Sequence, residues 1–364
     1  MVIGQRREKG KKSAAEGKMR VLVTGAAGMV GSHAVEYYAK KGSDVVALDN
    51  LMRSKLFGYE KKSVEFNWNY LKKYKNIKRI KGDVRSEPDV MGAIGKGVDL
   101  CIHTAGQPGV ALSCREPLED FSINAFGTVN VLECLRLKSK NAAFVYCSTN
   151  KVFGENVDKI KLSEKNKRYV YEGVRGVTEE MPIDLTGHTP YGASKYTGDI
   201  YTQEYAHIYG MKTAVFRMSC IYGVRQFGFE DQGWVAHFII ANLLNKPVTI
   251  YGNGKQVRDL LYVEDLVSAY DRFFKSNTRH DVYNIGGGPR NTTSLLEFIE
   301  MIENETGIRM KYKFSDWRPS DQKVYISDIT KISKKLDWTP KISPGFGIKL
   351  LVEWVKDNIE MFSR

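Results

Sequence analysis

The chain has 364 residues, of which 42% are hydrophobic and 27% are charged, a balance typical of a globular protein long enough for two domains. No apolar run approaches the roughly 20 residues of a membrane-spanning helix, and the basic N-terminus has no apolar stretch of a secretory signal behind it. The five cysteines are scattered and no two histidines lie three to five residues apart, so we predict a cytoplasmic protein with reduced thiols, no membrane association and no metal site.

Part of the net charge of +13 is concentrated at the N-terminus. Six basic and two acidic residues lie within residues 1–18, which gives this tail a net charge of +4, and we predict that it is a disordered extension. The other basic residues are dispersed, and no nucleic-acid-binding motif is present. We therefore predict no nucleic-acid partner, and the basic surface is compatible with an anionic small-molecule substrate.

Short apolar runs alternate with helical patterns over the first two thirds of the chain. The predicted strands are Arg20–Thr24, Asp44–Leu48, Ile77–Lys81, Leu100–Thr104, Ala143–Ser148, Lys212–Met218 and, further on, Val282–Gly286. The predicted helices between them are Met29–Lys41, Pro88–Ile94, Pro117–Ser139 and one from about Tyr191 to Tyr209. This alternation predicts an α/β fold with a doubly wound parallel sheet.

Two parts of the chain depart from the alternation. Residues 155–186 are polar and poor in strand signals, which is typical of an insert. Beyond Ser219 the pattern changes to glycine-rich turns and short helices, predicted at Gly233–Leu244, Ser294–Thr306 and Gly347–Met361. We interpret this last part as a smaller domain that caps the sheet.

A glycine-rich turn joins the first predicted strand to the first predicted helix. Gly25, Gly28 and Gly31 have the spacing that lets a chain turn tightly and lets backbone N–H groups reach a pyrophosphate. Asp49 ends the next strand, where a carboxylate binds the ribose hydroxyls of NAD and repels the 2′-phosphate of NADP. The turn predicts a dinucleotide site with NAD as cofactor. Arg53 keeps NADP as the alternative, and Asp83 is either an adenine contact or an ordinary turn residue.

A tyrosine and a lysine, Tyr191 and Lys195, lie one helical turn apart on the same face of a predicted helix. A tyrosine hydroxyl has an ordinary pKa of about 10, which makes it a poor base at neutral pH. We expect a lysine ammonium and a nicotinamide cation beside it to favour the phenolate and to lower that pKa. Thr149, at the end of a strand, could hold the reacting sugar oxygen. These three residues are the candidate catalytic set.

The glycine turn, the strand ending in Ser148-Thr149 and the Tyr191-Gly-Ala-Ser-Lys195 motif together resemble the extended short-chain dehydrogenase/reductase family, as do His103–Gly106 and Asn124–Thr128. The resemblance covers the chain from Arg20 onwards. It implies a Rossmann-type NAD-binding domain at residues 19–217 plus about 256–285, a C-terminal nucleotide-sugar domain at 218–255 plus 286–364, and a homodimer or homotetramer. It also implies that NAD contacts Gly25, Gly28, Met29, Val30, Gly31, Asp49, Asn50, Arg53, Asp83, Val84, Thr104, Ala105, Gly106, Gln107, Asn124, Tyr191 and Lys195.

The residues that follow Thr149 bear on the reaction. Family members that dehydrate the sugar carry Asp-Glu at this point, and this chain has Asn150 and Lys151, which cannot act as that acid and base. The motif Thr149-Asn-Lys-Val-Phe-Gly154 is instead similar to that of the CDP-paratose (tyvelose) 2-epimerase subgroup. The similarity implies C2 epimerisation of a CDP-hexose through a transient keto sugar. The expected substrate contacts are Thr149, Arg225, Gln226, Gln232, Trp234, Arg258, Arg318 and Asp321.

Two other functions stay open at this point. An enzyme similar to UDP-glucose 4-epimerase would use the same cofactor and the same Tyr–Lys pair. A non-catalytic NAD-binding scaffold or sensor would keep the fold without the chemistry, although the complete set of Thr149, Tyr191 and Lys195 argues against it.

Overall fold

The computed structural model of the chain describes residues 18–57, 62–318 and 321–362. Residues 1–17, which make up nearly all of the predicted basic tail, lie outside the described residues. The strands in chain order are β1 Arg20–Thr24, β2 Asp44–Asp49, β3 Ile77–Lys81, β4 Leu100–His103, β5 Ala143–Thr149, β6 Leu162–Glu164, β7 Tyr169–Tyr171, β8 Lys212–Met218, β9 Cys220–Tyr222, β10 Val248–Tyr251, β11 Val257–Tyr262, β12 His280–Ile285, β13 Thr292–Ser294, β14 Tyr312–Ser315 and β15 Val324–Tyr325.

The helices connect these strands and cover the sheet. In chain order they are α1 Met29–Lys40, α2 Arg53–Phe57, α3 Lys62–Tyr70, α4 Glu87–Ile94, α5 Val110–Arg115, α6 Pro117–Phe121, α7 Gly127–Lys138, α8 Thr189–Tyr209, α9 Trp234–Leu243, α10 Val263–Lys275, α11 Leu295–Thr306, α12 Thr330–Leu336 and α13 Pro344–Asp357. A π-helical turn at Ser122–Phe126 joins α6 to α7, and 3-10 segments occupy Leu71–Lys73, Asn150–Lys159 and Ile359–Met361.

Seven strands form a parallel sheet in the order β12-β8-β5-β4-β1-β2-β3. The central strands β4 and β5 are buried along their whole length, as expected of strands that carry helices on both faces. Because the order reverses direction at β1, the carboxyl ends of β1 and β4 open a crevice between them. The prediction of a Rossmann-type doubly wound sheet is confirmed.

Each face of the sheet has its own hydrophobic core. Along β1, Val21 and Val23 point into one core and Leu22 into the other, which is the two-residue period of a strand. The first core packs against α1 and α10, and the second against α4 and α7. A third core lies among α9, α11 and α13, around Ile239, Phe298 and Leu351.

The C-terminal half of the chain contributes to more than one sheet. β12 completes the seven-stranded sheet, and α10 packs against α1. β11 lies within the segment assigned above to the NAD-binding domain, and it pairs instead with β9, β13 and β15. Strands β10 and β14 form a separate parallel pair. The domain boundaries given above stay a prediction.

The structure differs from the sequence prediction in two elements. The long helix expected at Pro117–Ser139 contains the π-helical turn, which shifts the helical register at Asn124. The insert at residues 155–186 contains the antiparallel hairpin β6–β7, whose alternating pattern spans only three residues per strand. Contacts with the C-terminal region hold this hairpin: Tyr171 donates from its hydroxyl to Val324 O at 2.8 Å. Helices α2, α3, α5, α10 and α12 were also not predicted.

Three further properties bear on the predicted class of protein. Within the described ranges, no helix combines the length and the apolarity that crossing a bilayer requires. The same residues contain no group of three or more side chains that could hold a metal ion. All five cysteines carry free thiols, and Cys101, Cys134 and Cys147 are buried.

Candidate active site

A cleft of about 1040 Å³ opens at the carboxyl ends of the parallel strands. It extends from the glycine turn after β1 to residues of the C-terminal region around α9 and β10. Of the residues predicted to bind cofactor or substrate, Asn124 lies buried behind the cleft and all the others line it. The fold therefore brings together side chains that are separated by up to about 300 positions in the sequence.

The glycine turn has the close contacts that a dinucleotide-binding loop needs. Gly25 has a φ of +69°, and a Cβ there would lie 2.5 Å from Ala105 N. A Cβ on Gly31 would lie 2.1 Å from Gly25 O, so any other residue would push α1 away from the strand. Helix α1 begins directly after the turn, and its first N–H groups are placed to bind a pyrophosphate. This cradle fits NAD.

Asp49 and Asp83 line the part of the cleft where we predict the adenosine of NAD. Both carboxylate oxygens of Asp49 accept backbone hydrogen bonds, from Ala27 N at 2.8 Å and Leu51 N at 2.7 Å. Burial raises the pKa of Asp49. Asp83 accepts from Asn50 Nδ2 at 3.0 Å and pairs with Arg85 at 2.7 Å. The second carboxylate is thus held by neighbours, and its contact with adenine stays a prediction.

Arg53 reaches from the start of α2 to the opposite side of the cleft. Its guanidinium donates to Gln232 Oε1 at 2.5 Å and to Phe227 O at 3.3 Å. Arg53 was predicted to contact the cofactor and Gln232 the substrate. The structure joins the two across the cleft, a contact that no sequence pattern indicated.

Asn124 sits in the π-helical turn and holds the loop that follows β4. Its Oδ1 accepts from Gln107 N at 2.8 Å, and its Nδ2 donates to Gln107 O at 3.0 Å and to Asp120 Oδ1 at 3.0 Å. Asp120 is buried and also accepts from the hydroxyl of Ser194. Sequence reasoning missed Asp120, although its position one helical turn before Asn124 places it on the same helix face.

The three candidate catalytic residues meet at the middle of the cleft. Thr149 ends β5, and Tyr191 and Lys195 lie one turn apart near the start of α8. The backbone N–H of Tyr191 donates to Ser113 Oγ at 3.0 Å, which ties the helix start to α5. Lys195 is buried, with its Nζ 4.3 Å from the ring centroid of Tyr146.

The charge balance of this set reflects its burial. Burial raises the pKa of Tyr191 to about 12, and a hydrogen bond with Thr149 offsets only part of this effect. Burial also lowers the pKa of Lys195 to about 8. In the protein alone, desolvation is thus the largest effect on Tyr191. That Lys195 and a bound nicotinamide cation together lower this pKa stays a prediction.

Two arginines lie at the C-terminal end of the cleft. Arg258 pairs with Asp321 at 2.7 Å and donates to Val257 O at 2.8 Å. Arg318 lies 3.8 Å from the ring centroid of Tyr251 and 3.3 Å from a carboxylate oxygen of Asp231. Guanidinium groups held in this way suit the paired oxygens of a diphosphate.

Arg225 and Trp234 make contacts of a different kind. The buried guanidinium of Arg225 pairs with Glu36 on α1 at 2.9 Å and lies 4.2 Å from the ring centroid of Tyr70. Trp234 donates from Nε1 to Cys220 Sγ at 3.1 Å, and its ring packs 4.8 Å from that of Phe298. These contacts support a structural role for Arg225, whose predicted contact with substrate is not visible in its geometry.

Gln226 lies beside Arg225 in the same loop. Its Nε2 donates to Ile221 O at 3.3 Å, and its side chain is buried. Gln226 thus holds the loop to β9, and Arg225 holds it to α1.

The sequence and the structure are similar to those of known enzymes. The model of the NAD dependent epimerase/dehydratase family matches residues 21–286. The chain is 39% identical over 345 residues to CDP-paratose 2-epimerase of Salmonella typhi, which covers 92% of this chain and 99% of that protein. It is 30% identical over 341 residues to UDP-glucuronate 4-epimerase of Thermodesulfobacterium geofontis, with coverages of 93% and 97%.

Solved structures show the same fold. The UDP-glucose 4-epimerase of Thermus thermophilus, in complex with NAD, is 29% identical with a TM-score of 0.76, covering 93% of this chain and 99% of that one. The UDP-glucuronic acid 4-epimerase of Bacillus cereus, in complex with UDP-glucuronic acid and NAD, is 26% identical with a TM-score of 0.77, and the match covers 93% and 100%. With the glycine cradle and the Thr149, Tyr191 and Lys195 set, these likenesses establish that the chain belongs to the NAD dependent epimerase/dehydratase family and is an NAD-dependent nucleotide-sugar epimerase.

Proposed function

We propose that this enzyme epimerises C2 of a CDP-hexose of the paratose and tyvelose type. The observation that carries the proposal is the similarity to CDP-paratose 2-epimerase along almost the whole length of both chains. Asn150 and Lys151 support it, because they replace the acid and base of a dehydratase directly after Thr149.

The site residues divide the work as follows. Thr149 would hold the C2 hydroxyl while Tyr191 removes its proton, and bound NAD supplies the acceptor and later the donor of the hydride. Because burial raises the pKa of Tyr191 to about 12, its ionisation would be favoured by positive charge beside it, from the Lys195 ammonium and from the nicotinamide ring when NAD is bound. Lys195 would hold the nicotinamide ribose.

Return of hydride to the other face requires the keto sugar to turn over. Arg258 and Arg318 would hold the diphosphate during this motion, and the cleft of about 1040 Å³ leaves space for a sugar ring to rotate about its anomeric bond. Tyr191 would then return the proton to the new C2 hydroxyl. Because the hydride comes back, NAD is regenerated in each cycle.

Deuterium placed at C2 or at C4 of a CDP-hexose tests which carbon reacts. We expect slower turnover with the C2 label and return of that label to C2, because the C–H bond at this carbon breaks. The C4 label should have no effect. Product analysis by NMR with CDP-, UDP-, GDP- and dTDP-hexoses identifies the nucleotide.

Two other outcomes would change the assignment. An isotope effect at C4 with an inert C2 would favour the activity named for the T. geofontis relative, a UDP-sugar 4-epimerase. If the purified protein contains stoichiometric NAD but turns over no nucleotide-sugar, that result would favour a non-catalytic NAD-binding protein.

We also propose that the enzyme works in the cytoplasm as a homodimer or homotetramer. The free thiols of all five cysteines support a reducing compartment. Exposed apolar side chains support self-association. Leu118, Phe121 and Phe126 are 84%, 53% and 53% exposed, and they lie on the α6–π–α7 run, which packs against α8.

A further inference from the structure

Lys151 lines the cleft, yet the scheme above gives it no task. It follows the end of β5 by two residues, and its backbone N–H donates to Thr149 Oγ1 at 3.2 Å. Its carbonyl oxygen lies against the start of α8, where a Cβ on Gly192 would come within 2.9 Å of it. The backbone of Lys151 is therefore fixed between the strand that carries Thr149 and the helix that carries Tyr191.

The side chain of Lys151 lies in the part of the molecule where we predict the substrate diphosphate. It is partly exposed and lines the same cleft as Arg258 and Asp321. Arg258, Asp321 and Asp158 are the charged groups that act on its ammonium. Lys151 therefore shares the cleft with the candidate diphosphate ligand Arg258, and its backbone is hydrogen-bonded to Thr149 of the candidate catalytic set.

The electrostatics of this position favour an anion. Burial lowers the pKa of Lys151 to about 8, and the positive charge of Arg258 acts in the same direction, while the carboxylates of Asp321 and Asp158 offset part of this effect. The ammonium is thus mainly protonated at neutral pH and only partly hydrated. A desolvated ammonium beside a guanidinium gains most from an anionic ligand that reaches both groups.

We propose that Lys151 is a specificity-determining residue that binds the β-phosphate of the substrate and so places C2 of the sugar at Tyr191. The inference rests on the proposed function. The β-phosphate is joined through one oxygen to C1, and C2 is the next carbon, whereas C4 lies across the ring. A cation that holds the β-phosphate close to Thr149 therefore presents the near carbon to the catalytic centre.

Binding of CDP and CMP to the NAD-loaded enzyme tests the proposal, because the two nucleotides differ by the β-phosphate. Lys151→Met should weaken CDP by on the order of 10- to 100-fold and CMP by less than about twofold, as expected for loss of one charge-assisted contact. Lys151→Arg should retain most of the CDP affinity. Isothermal titration calorimetry gives the dissociation constants of CDP and CMP. UDP and UMP, which also differ by the β-phosphate, serve as a second pair of ligands.

Lys159→Met is the matched control. Lys159 belongs to the same 3-10 segment, but its Nζ donates to Asn156 Oδ1 outside the cleft, so both nucleotides should bind as in the parent enzyme. NAD content and thermal stability of each variant report whether the fold is intact, and Lys151→Gln is a second neutral replacement.

Equal losses of CDP and CMP affinity, or no loss of either, would overturn the role of Lys151. This result is distinct from failure of the proposed function, which the labelled substrates decide on the unmodified enzyme. A C4 reaction together with a selective loss of CDP affinity would keep the phosphate contact and refute its role in selecting C2.

Discussion

The hydroxyl of Tyr191 is subject to two opposing effects. Desolvation in the cleft raises its pKa to about 12, while the hydrogen bond with Thr149 favours the ionised form. A tyrosine with this pKa is protonated at neutral pH and cannot act as a base. We propose that a bound oxidised nicotinamide would supply, with the Lys195 ammonium, the positive charge that lowers this pKa.

Oxidised and reduced cofactor should therefore have different effects on Tyr191. NAD and NADH make nearly the same contacts, but only the oxidised ring carries a positive charge. We predict that Tyr191 ionises at lower pH in the NAD-loaded enzyme than in the NADH-loaded enzyme. A spectrophotometric phenolate titration, with Tyr191→Phe subtracted to isolate this residue, measures the shift. Identical titrations in the two cofactor states would show that the charge of the ring plays no part.

At the scale of elements, a buried ion pair joins the dinucleotide helix to the substrate side of the cleft. Glu36 on α1 pairs with Arg225, and it also accepts hydrogen bonds from the hydroxyls of Tyr70 at 2.8 Å and Tyr74 at 2.6 Å. These interactions hold the pKa of Glu36 well below its usual range. Asn67 on α3 adds a second link, because its Nδ2 donates to Ala27 O at 3.0 Å and Arg225 O at 3.4 Å.

Removal of one member of this pair should destabilise the fold more than it weakens substrate binding. Arg225→Met leaves a buried carboxylate without its main cation, a change that typically costs about 3–5 kcal/mol. We predict that Glu36→Gln and Arg225→Met each lower the free energy of unfolding, and that the double variant loses less than the two single losses added together. Urea denaturation measures these energies.

Substrate affinity separates the two roles considered for Arg225. A structural role predicts a KM close to that of the parent for the folded fraction of Arg225→Met. A large rise in KM with unchanged stability would instead support the direct substrate contact predicted from the sequence.

At the scale of the whole molecule, the exposed apolar residues on the α6–π–α7 run predict an interface between two copies of the chain. An arginine in such an interface would bury an unpaired positive charge, which is costly and would weaken association. We predict that Phe121→Arg shifts the enzyme to monomers, as measured by light scattering coupled to size exclusion. Phe346→Arg is the matched control, since Phe346 is similarly exposed, at 55%, on α13.

NAD content helps to interpret that experiment. A Phe121→Arg variant that keeps its cofactor and runs as a monomer would support the interface. A variant that keeps both its cofactor and the oligomeric state of the parent would place the interface elsewhere.

The sequence determined those features that depend on local spacing. The strand at Ile77–Lys81, the strand at Lys212–Met218 and the glycine turn were predicted correctly because their signals lie within a few neighbouring residues. The same holds for the pairing of Tyr191 with Lys195 on one helix face. The cofactor followed from Asp49, which the structure places in the cleft at the end of β2.

Tertiary structure decided the features that depend on contacts between distant segments. The link from Arg53 to Gln232, the ion pair of Arg225 with Glu36 and the contact of hairpin residue Tyr171 with Val324 all join parts of the chain whose spacing carries no signal. The pKa of Tyr191 belongs to the same class, because desolvation depends on every segment that closes the cleft. Local order in the sequence therefore determined the parallel sheet and the candidate catalytic residues, and packing determined their electrostatic state.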